Sequence, residues 1–172
     1  MFKIEAHTAR TRAFRRDESG AAAIEFAIIA PVLFFSLLSL VELGVLGMIT
    51  SGLDNAVVEV SRRIRTGSDD AASSASSLED QICERMGGAV SACRDRLTVS
   101  VQRYSAFSSA GAAAAAAPAG QFDKGGANDI IIVKADYKWP LMTPFVATAY
   151  NRDGPMEVTI ASRAAFKNEP FQ

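Results

Sequence analysis

Apolar positions follow three different rhythms along this chain. From Phe26 to Val41 sixteen consecutive residues carry no charge, and the apolar run continues to Thr50 with Glu42 as its only ionisable member. At about 1.5 Å per residue, Phe26 to Thr50 makes about 37 Å of helix, enough to cross a hydrocarbon core of about 30 Å. From Leu53 the rhythm changes. Leu53, Ala56, Val57, Val60 and Ile64 recur every three or four residues, with Asp54, Glu59, Arg62, Arg63 and Arg65 between them. This pattern is one apolar stripe on a helix whose other side is wet. The two segments join into one predicted helix from about Ala22 to Thr66, ended by Gly67.

The third rhythm is alternation. Leu97, Val99 and Val101 share one face of a predicted strand over Leu97–Tyr104. Ile131, Val133, Ala135, Tyr137 and Trp139 share one face of a second strand, from Ile130 to Trp139, which Pro140 ends. The Asp153-Gly154 turn leads into a third, with Met156, Val158 and Ile160 inward. Between these lie a small-polar linker at Ser68–Ser77, a short helix at Leu78–Met86 before Gly87-Gly88, and a long excursion at Ser105–Asn128 holding an alanine run and Pro118. The alanine run is too short for a stable isolated helix, so a mobile loop is expected there. Thr143-Pro144 has the chemistry of a helix start, predicting a short helix to Tyr150. Three strands bury one face only under a cover, and the stripe from Leu53 to Ile64 is the cover available. The expected fold class is α+β: a long N-terminal transmembrane helix continuing into an exported domain, with a small antiparallel sheet packed on the helix.

Charge sets the orientation. The net charge of −1 over 172 residues conceals a basic arm of Lys3, Arg10, Arg12, Arg15 and Arg16 ahead of the apolar run. Basic flanks stay in the cytoplasm, so the residues after Thr50 are expected to be exported. Topology accounts for the arm, and no aromatic residues are interleaved for base stacking, so no nucleic-acid partner is expected. A secretory signal peptide has a shorter apolar region and a small-residue cleavage site after it, and Met48 to Gly52 has no A-x-A pattern.

Small residues stand instead on the cytoplasmic side: Ser19, Gly20, Ala21, Ala22 and Ala23, then Ile24 and Glu25. Gly20 is conformationally permissive, so a protease at the inner membrane face can take an extended backbone there. Cleavage after Gly20 makes Ala21 the new N-terminus and places Glu25 fifth. The run GAAAIEFAIIAPVLFFSLLSLVELG, behind a basic leader, resembles the start of TadE-like proteins, minor pilins or pseudopilins of the tight-adherence (Tad/Flp) pilus. Arg163 and the closing FKNEPF are similar to that family's terminal Arg-Asn-Glu-Pro pattern, with Lys167 where arginine is more usual. The resemblance covers Gly20 to about Arg65 and the last ten or so residues.

The resemblance implies peptidase processing between Gly20 and Ala21, with Glu25 as the motif acid. The new α-amino group, with a reference pKa of about 8, lies at a low-dielectric boundary where a carboxylate one turn away or on a neighbouring subunit compensates its charge. Without the motif, a carboxylate merely resting in the headgroup zone would be the favoured account of Glu25. For Glu42 three readings stand: it lies near the exported interface, or is neutral, or meets a partner. The interfacial one is favoured, because from Ala21 it falls about 31 Å along the helix. Pro31 removes a donor and clashes with the carbonyl of Ala27, predicting a bend. Pro31 and Glu42 are the candidate helix-packing residues, and Gly44 and Gly47 add a small face.

Cys83 and Cys93 pair as an expected structural disulfide in an oxidising compartment. A metal site at the two cysteines would need more ligands, and the only histidine, His7, is in the leader, so no metal or cofactor is expected and no histidine base is available to the exported part. Asp123, Gly125, Asn128 and Asp129 lack an EF-hand pattern. No catalytic motif appears, and Asp69-Asp70 is read as solvated charge. The expected organisation is a cytoplasmic leader at 1–20, a membrane helix at 21–50, an exposed extension at 51–67 and an exported α+β domain at 68–172. The expected function is a non-enzymatic TadE-like minor pilin or pseudopilin in a bacterial inner membrane, whose partners are a prepilin peptidase, other pilins and Tad assembly proteins. The rivals are an uncleaved signal-anchored envelope protein and a membrane-tethered exported enzyme.

Overall fold

A computed structural model describes residues 20–87, 90–106, 118–149 and 156–170. The basic leader with His7, the Gly88 position, the alanine run, Tyr150, the Asp153-Gly154 turn and Phe171 lie outside the described residues. The elements are α1 (Ala21–Thr66), α2 (Ala75–Met86), α3 (Val90–Arg94), β1 (Leu97–Tyr104), β2 (Ile130–Pro140), α4 (Pro144–Ala149) and β3 (Glu157–Lys167). The chain divides into two compact units, Met1–Val41 and Glu42–Gln172.

Helix α1 runs for 46 residues without interruption, with Pro31 inside it. It stops where its stripe stops. Gly67 takes a left-handed φ of 65°, its N–H returns to the Ile64 carbonyl at 3.2 Å, and the Ser68 N–H returns to that of Arg63 at 3.1 Å. Those two bonds satisfy carbonyls that a helix end otherwise leaves open. Helix α2 starts three residues earlier than its apolar pattern announces, because the Ser74 hydroxyl accepts from the Ser77 N–H at 3.2 Å. Part of the stretch read as linker is therefore a capped first turn.

The sheet is antiparallel in the order β1-β2-β3. Val99 faces Ala135 and Val101 faces Val133 across the first pair; Ala135 faces Ser162 and Val133 faces Ala164 across the second. Leu53, Ala56, Val57, Val60 and Ile64 of α1 are all at most 2% exposed and share one core with Val99, Val101, Ile131, Val133, Ala135, Leu78 and Ile82. Each such large aliphatic side chain contributes about 1.5–3 kcal/mol by leaving water. The sheet thus packs on the outer part of the long helix. Leu46 belongs to the same core, and Ile49 packs against it. Burial in the domain accordingly begins within the 21–50 stretch.

The outer edge of β1 is not open. Gly120 donates to Val99 O and Asp123 to Val101 O, both at 2.9 Å, while Val101 donates to Gln121 O at 2.8 Å. The excursion after β1 therefore returns as an ordered segment bonded to that strand.

Candidate functional site: the apolar helix and the Glu42 seat

Gly20 immediately precedes α1 and is exposed, Ala21 is its first residue, and Glu25 is exposed one turn further on. Among the described residues, nothing lies within 4 Å of the position a side chain would take at Gly20. Beyond it the helix is apolar on every side. Ile24, Phe26, Ile28, Ile29, Val32 and Phe34 are each at least 60% exposed, and Leu40 and Val41 are both at 65%. In water so wide an apolar surface is unfavourable. A helix that is hydrophobic all round belongs in a protein interior or in lipid, and this one is long enough to span a bilayer.

The few hydroxyls in this stretch are satisfied from within. Ser36 donates to the Val32 carbonyl and Ser39 to that of Phe35, each at 2.8 Å. Backbone and side-chain polar groups in lipid must find such internal partners.

Glu42 opens the second unit and is only 5% exposed. Its Oε1 accepts the Met142 N–H, and its Oε2 accepts both the Thr143 N–H at 3.0 Å and the Thr143 hydroxyl. Three donors around one carboxylate make a charge-assisted seat. Thr143 is itself buried at 4%, whereas Met142 is 80% exposed. Of the three readings of Glu42, the structure gives it a partner within its own chain. No pattern near Glu42 identifies Met142 and Thr143, which lie one hundred and 101 residues away. The signal nearest to it is Thr143-Pro144 itself, since a helix start carries unsatisfied N–H groups.

Cys83 and Cys93 are bonded, with Cα atoms 5.7 Å apart, tying α2 to α3. The Asp123 and Asp129 carboxylates engage their own loop: Asp123 Oδ1 accepts from Gly125 N–H at 2.9 Å and Asp129 Oδ2 from Gly126 N–H at 2.7 Å. Arg103 also lies 3.6 Å and 3.5 Å from these acids. Among the described residues no group of three or more His, Cys, Asp or Glu side chains converges on one point.

The closing pattern, unlike the leader, can be located. Asn168 is 2% exposed, and its Nδ2 donates to Lys124 O at 2.9 Å and Gly126 O at 3.0 Å. The next residue reaches the helix end: Glu169 N–H donates to Arg65 O at 2.9 Å, and Arg65 Nη2 lies 2.9 Å from Glu169 Oε1. The motif is thus a clasp between the chain after β3 and the last turn of α1.

These positions frame the stretch that comparison with known proteins identifies. Residues 20–62 match the TadE-like protein family. The match starts at Gly20 and ends within the buried stripe of α1, so it takes in the apolar segment, Glu25, Pro31 and Glu42. Comparisons with curated proteins and with solved structures return no match.

Proposed function

We propose that this protein is a minor pilin or pseudopilin of a tight-adherence pilus system, held in the bacterial inner membrane by α1 and processed by a prepilin peptidase between Gly20 and Ala21. The observation that carries the reading is the coincidence of the TadE-like match, beginning at Gly20, with the start of an apolar helix exposed on all sides. The basic arm would lie in the cytoplasm and the unit from Glu42 in the periplasm. Ala21–Val41 supplies about 32 Å of helix, close to the hydrocarbon thickness of about 30 Å. The bilayer segment would then end at Glu42, whose carboxylate is seated by the domain and so never stands bare in lipid.

In this role α1 works by lateral packing. A processed N-terminus would be compensated by Glu25 of its own or a neighbouring helix, and Pro31 would tune the helix path within a bundle. The disulfide-bonded domain would meet other pilins and Tad assembly proteins. Binding, not bond-making, is the chemistry required.

The test is genetic. Deleting the protein from cells that make such pili should abolish or sharply reduce surface filaments, and wild-type protein should restore them where Gly20→Val protein does not. Normal filaments in the deletion strain would overturn the reading.

A further inference from the structure

Two tethers fix how the sheet runs along the outer part of α1. At one end the Glu169 N–H donates to Arg65 O at 2.9 Å. At the other, the Met142 and Thr143 N–H groups donate to the Glu42 carboxylate. Glu42 to Arg65 is about 35 Å of helix, and the 11 residues of β2 extend over about 36 Å. The second strand therefore starts beside the last turn of α1 and returns to the level of Glu42, where the chain turns.

The side chains at that turn alternate. Leu141 and Thr143 are 5% and 4% exposed, whereas Met142 between them is 80% exposed, more than any other large hydrophobic side chain among the described residues. Pro144 is exposed beside it. The fold does not require an apolar side chain at 142, since its backbone N–H alone reaches Glu42. Three residues earlier Trp139 is half-buried, with the Arg96 guanidinium 5.9 Å from its ring centre. Tryptophan and long basic side chains are suited to headgroup level, where an apolar body meets a polar layer.

The backbone of the tip is the second, independent sign. Leu141 N–H donates to Met156 O at 2.6 Å, those of Met142 and Thr143 donate to Glu42, and Pro144 has no N–H. Every donor from Leu141 to Pro144 is thus satisfied or absent, as a segment entering a low-dielectric layer requires.

We propose that the tip from Met142 to Pro144 is a lipid foot, inserted at the boundary of headgroups and acyl chains in the leaflet from which α1 emerges. This inference rests on α1 spanning the bilayer, and not on cleavage at Gly20. Glu42 stands about 32 Å along the helix from Ala21, at the edge of a hydrocarbon core of about 30 Å, and its bonds hold Met142 at the same depth. Apolar side chains reach about 5–10 Å into that boundary from an interfacial element. The foot gives the domain a lipid attachment besides the helix, so the depth of α1 and the rotation of the domain about it are set together.

The experiment uses the full chain in phosphatidylcholine nanodiscs. Both native cysteines are in the disulfide, so a single introduced thiol carries an environment-sensitive fluorophore, at Met142→Cys, at Pro144→Cys, at Val32→Cys within the apolar segment, or at the exposed Lys167→Cys at the far end of β3. Near-ultraviolet dichroism of Trp139 checks that each variant is folded, and the two tip positions back each other. The tip labels should be quenched more by lipid carrying a nitroxide near the headgroup than by lipid carrying it near the chain end, and should be several-fold less accessible to aqueous iodide than the Lys167 label. The Val32 label should show the reverse depth preference. Tip labels as open to iodide as the Lys167 label, with Val32 still deep, would overturn the foot and leave the span standing. Tip labels shielded from iodide but quenched by neither lipid would mean that protein covers the tip, and would also overturn it. A Val32 label open to iodide would overturn the span, and the foot with it.

Discussion

The Glu42 carboxylate holds Thr143 twice, through the backbone N–H at 3.0 Å and through the hydroxyl, and takes the Met142 N–H as well. A helix residue and a loop 101 positions later are therefore one polar unit, shielded from water. That unit gives an acid inside an apolar run a structural reason to be there.

Removing the acceptor should break three hydrogen bonds at once. Glu42→Ala is expected to destabilise the domain by about 2–4 kcal/mol, and Glu42→Gln, which keeps one oxygen, by about 1–2 kcal/mol. Urea unfolding of the detergent-solubilised chain followed by Trp139 fluorescence measures both. Amide exchange at Met142 and Thr143 should accelerate first in either variant.

The clasp at the chain's end should depend on its buried member. Asn168→Ala strips donors from the Lys124 and Gly126 carbonyls and should cost about 2 kcal/mol. Glu169→Gln breaks a pair that is about half exposed on each side and should cost at most about 1 kcal/mol. Equal losses in the same unfolding assay would contradict this ordering.

Reduction should loosen α2 and α3 without unmaking the sheet. Cys83 and Cys93 are separated by 10 positions, and a loop of that size is worth somewhat under about 3 kcal/mol in the chain-entropy account. Comparing urea midpoints with and without reductant gives the value, and Cys83→Ser/Cys93→Ser should match the reduced protein.

Gly125 has a φ of 61°, and a Cβ there would come 2.8 Å from Asp129 Oδ2 and 2.9 Å from Ile131 Cδ1. Gly125→Ala should therefore cost more than the roughly 1 kcal/mol of an αL penalty alone. Gly52→Ala, in open space on α1, should be neutral or stabilise slightly. The unfolding midpoint should fall for Gly125→Ala and hold or rise slightly for Gly52→Ala.

Much of this fold was legible because the core is built by periodicity. The spacing of Leu53, Ala56, Val57, Val60 and Ile64 identified the covering face, and alternation placed β1 at its observed bounds. The third strand was anchored by Val158 and Ile160 but continues to Lys167. Its inward residues there are Ser162, Ala164 and Phe166, and the first two are too small or polar to carry the apolar beat on to the phenylalanine. Helix α3 has five residues and no stripe of its own. The seat of Glu42 was not legible, since two of its three donors are backbone N–H groups that almost any residue type could supply, and the third, the Thr143 hydroxyl, lies 101 positions away.

The central claim is that the chain matures as a pilin does, and the intact mass of the membrane-extracted protein, from cells with and without the candidate prepilin peptidase, tests it most directly. The account predicts a peptidase-dependent chain beginning at Ala21. A chain still beginning at Met1 in cells with active peptidase would contradict it and leave an uncleaved signal anchor in its place.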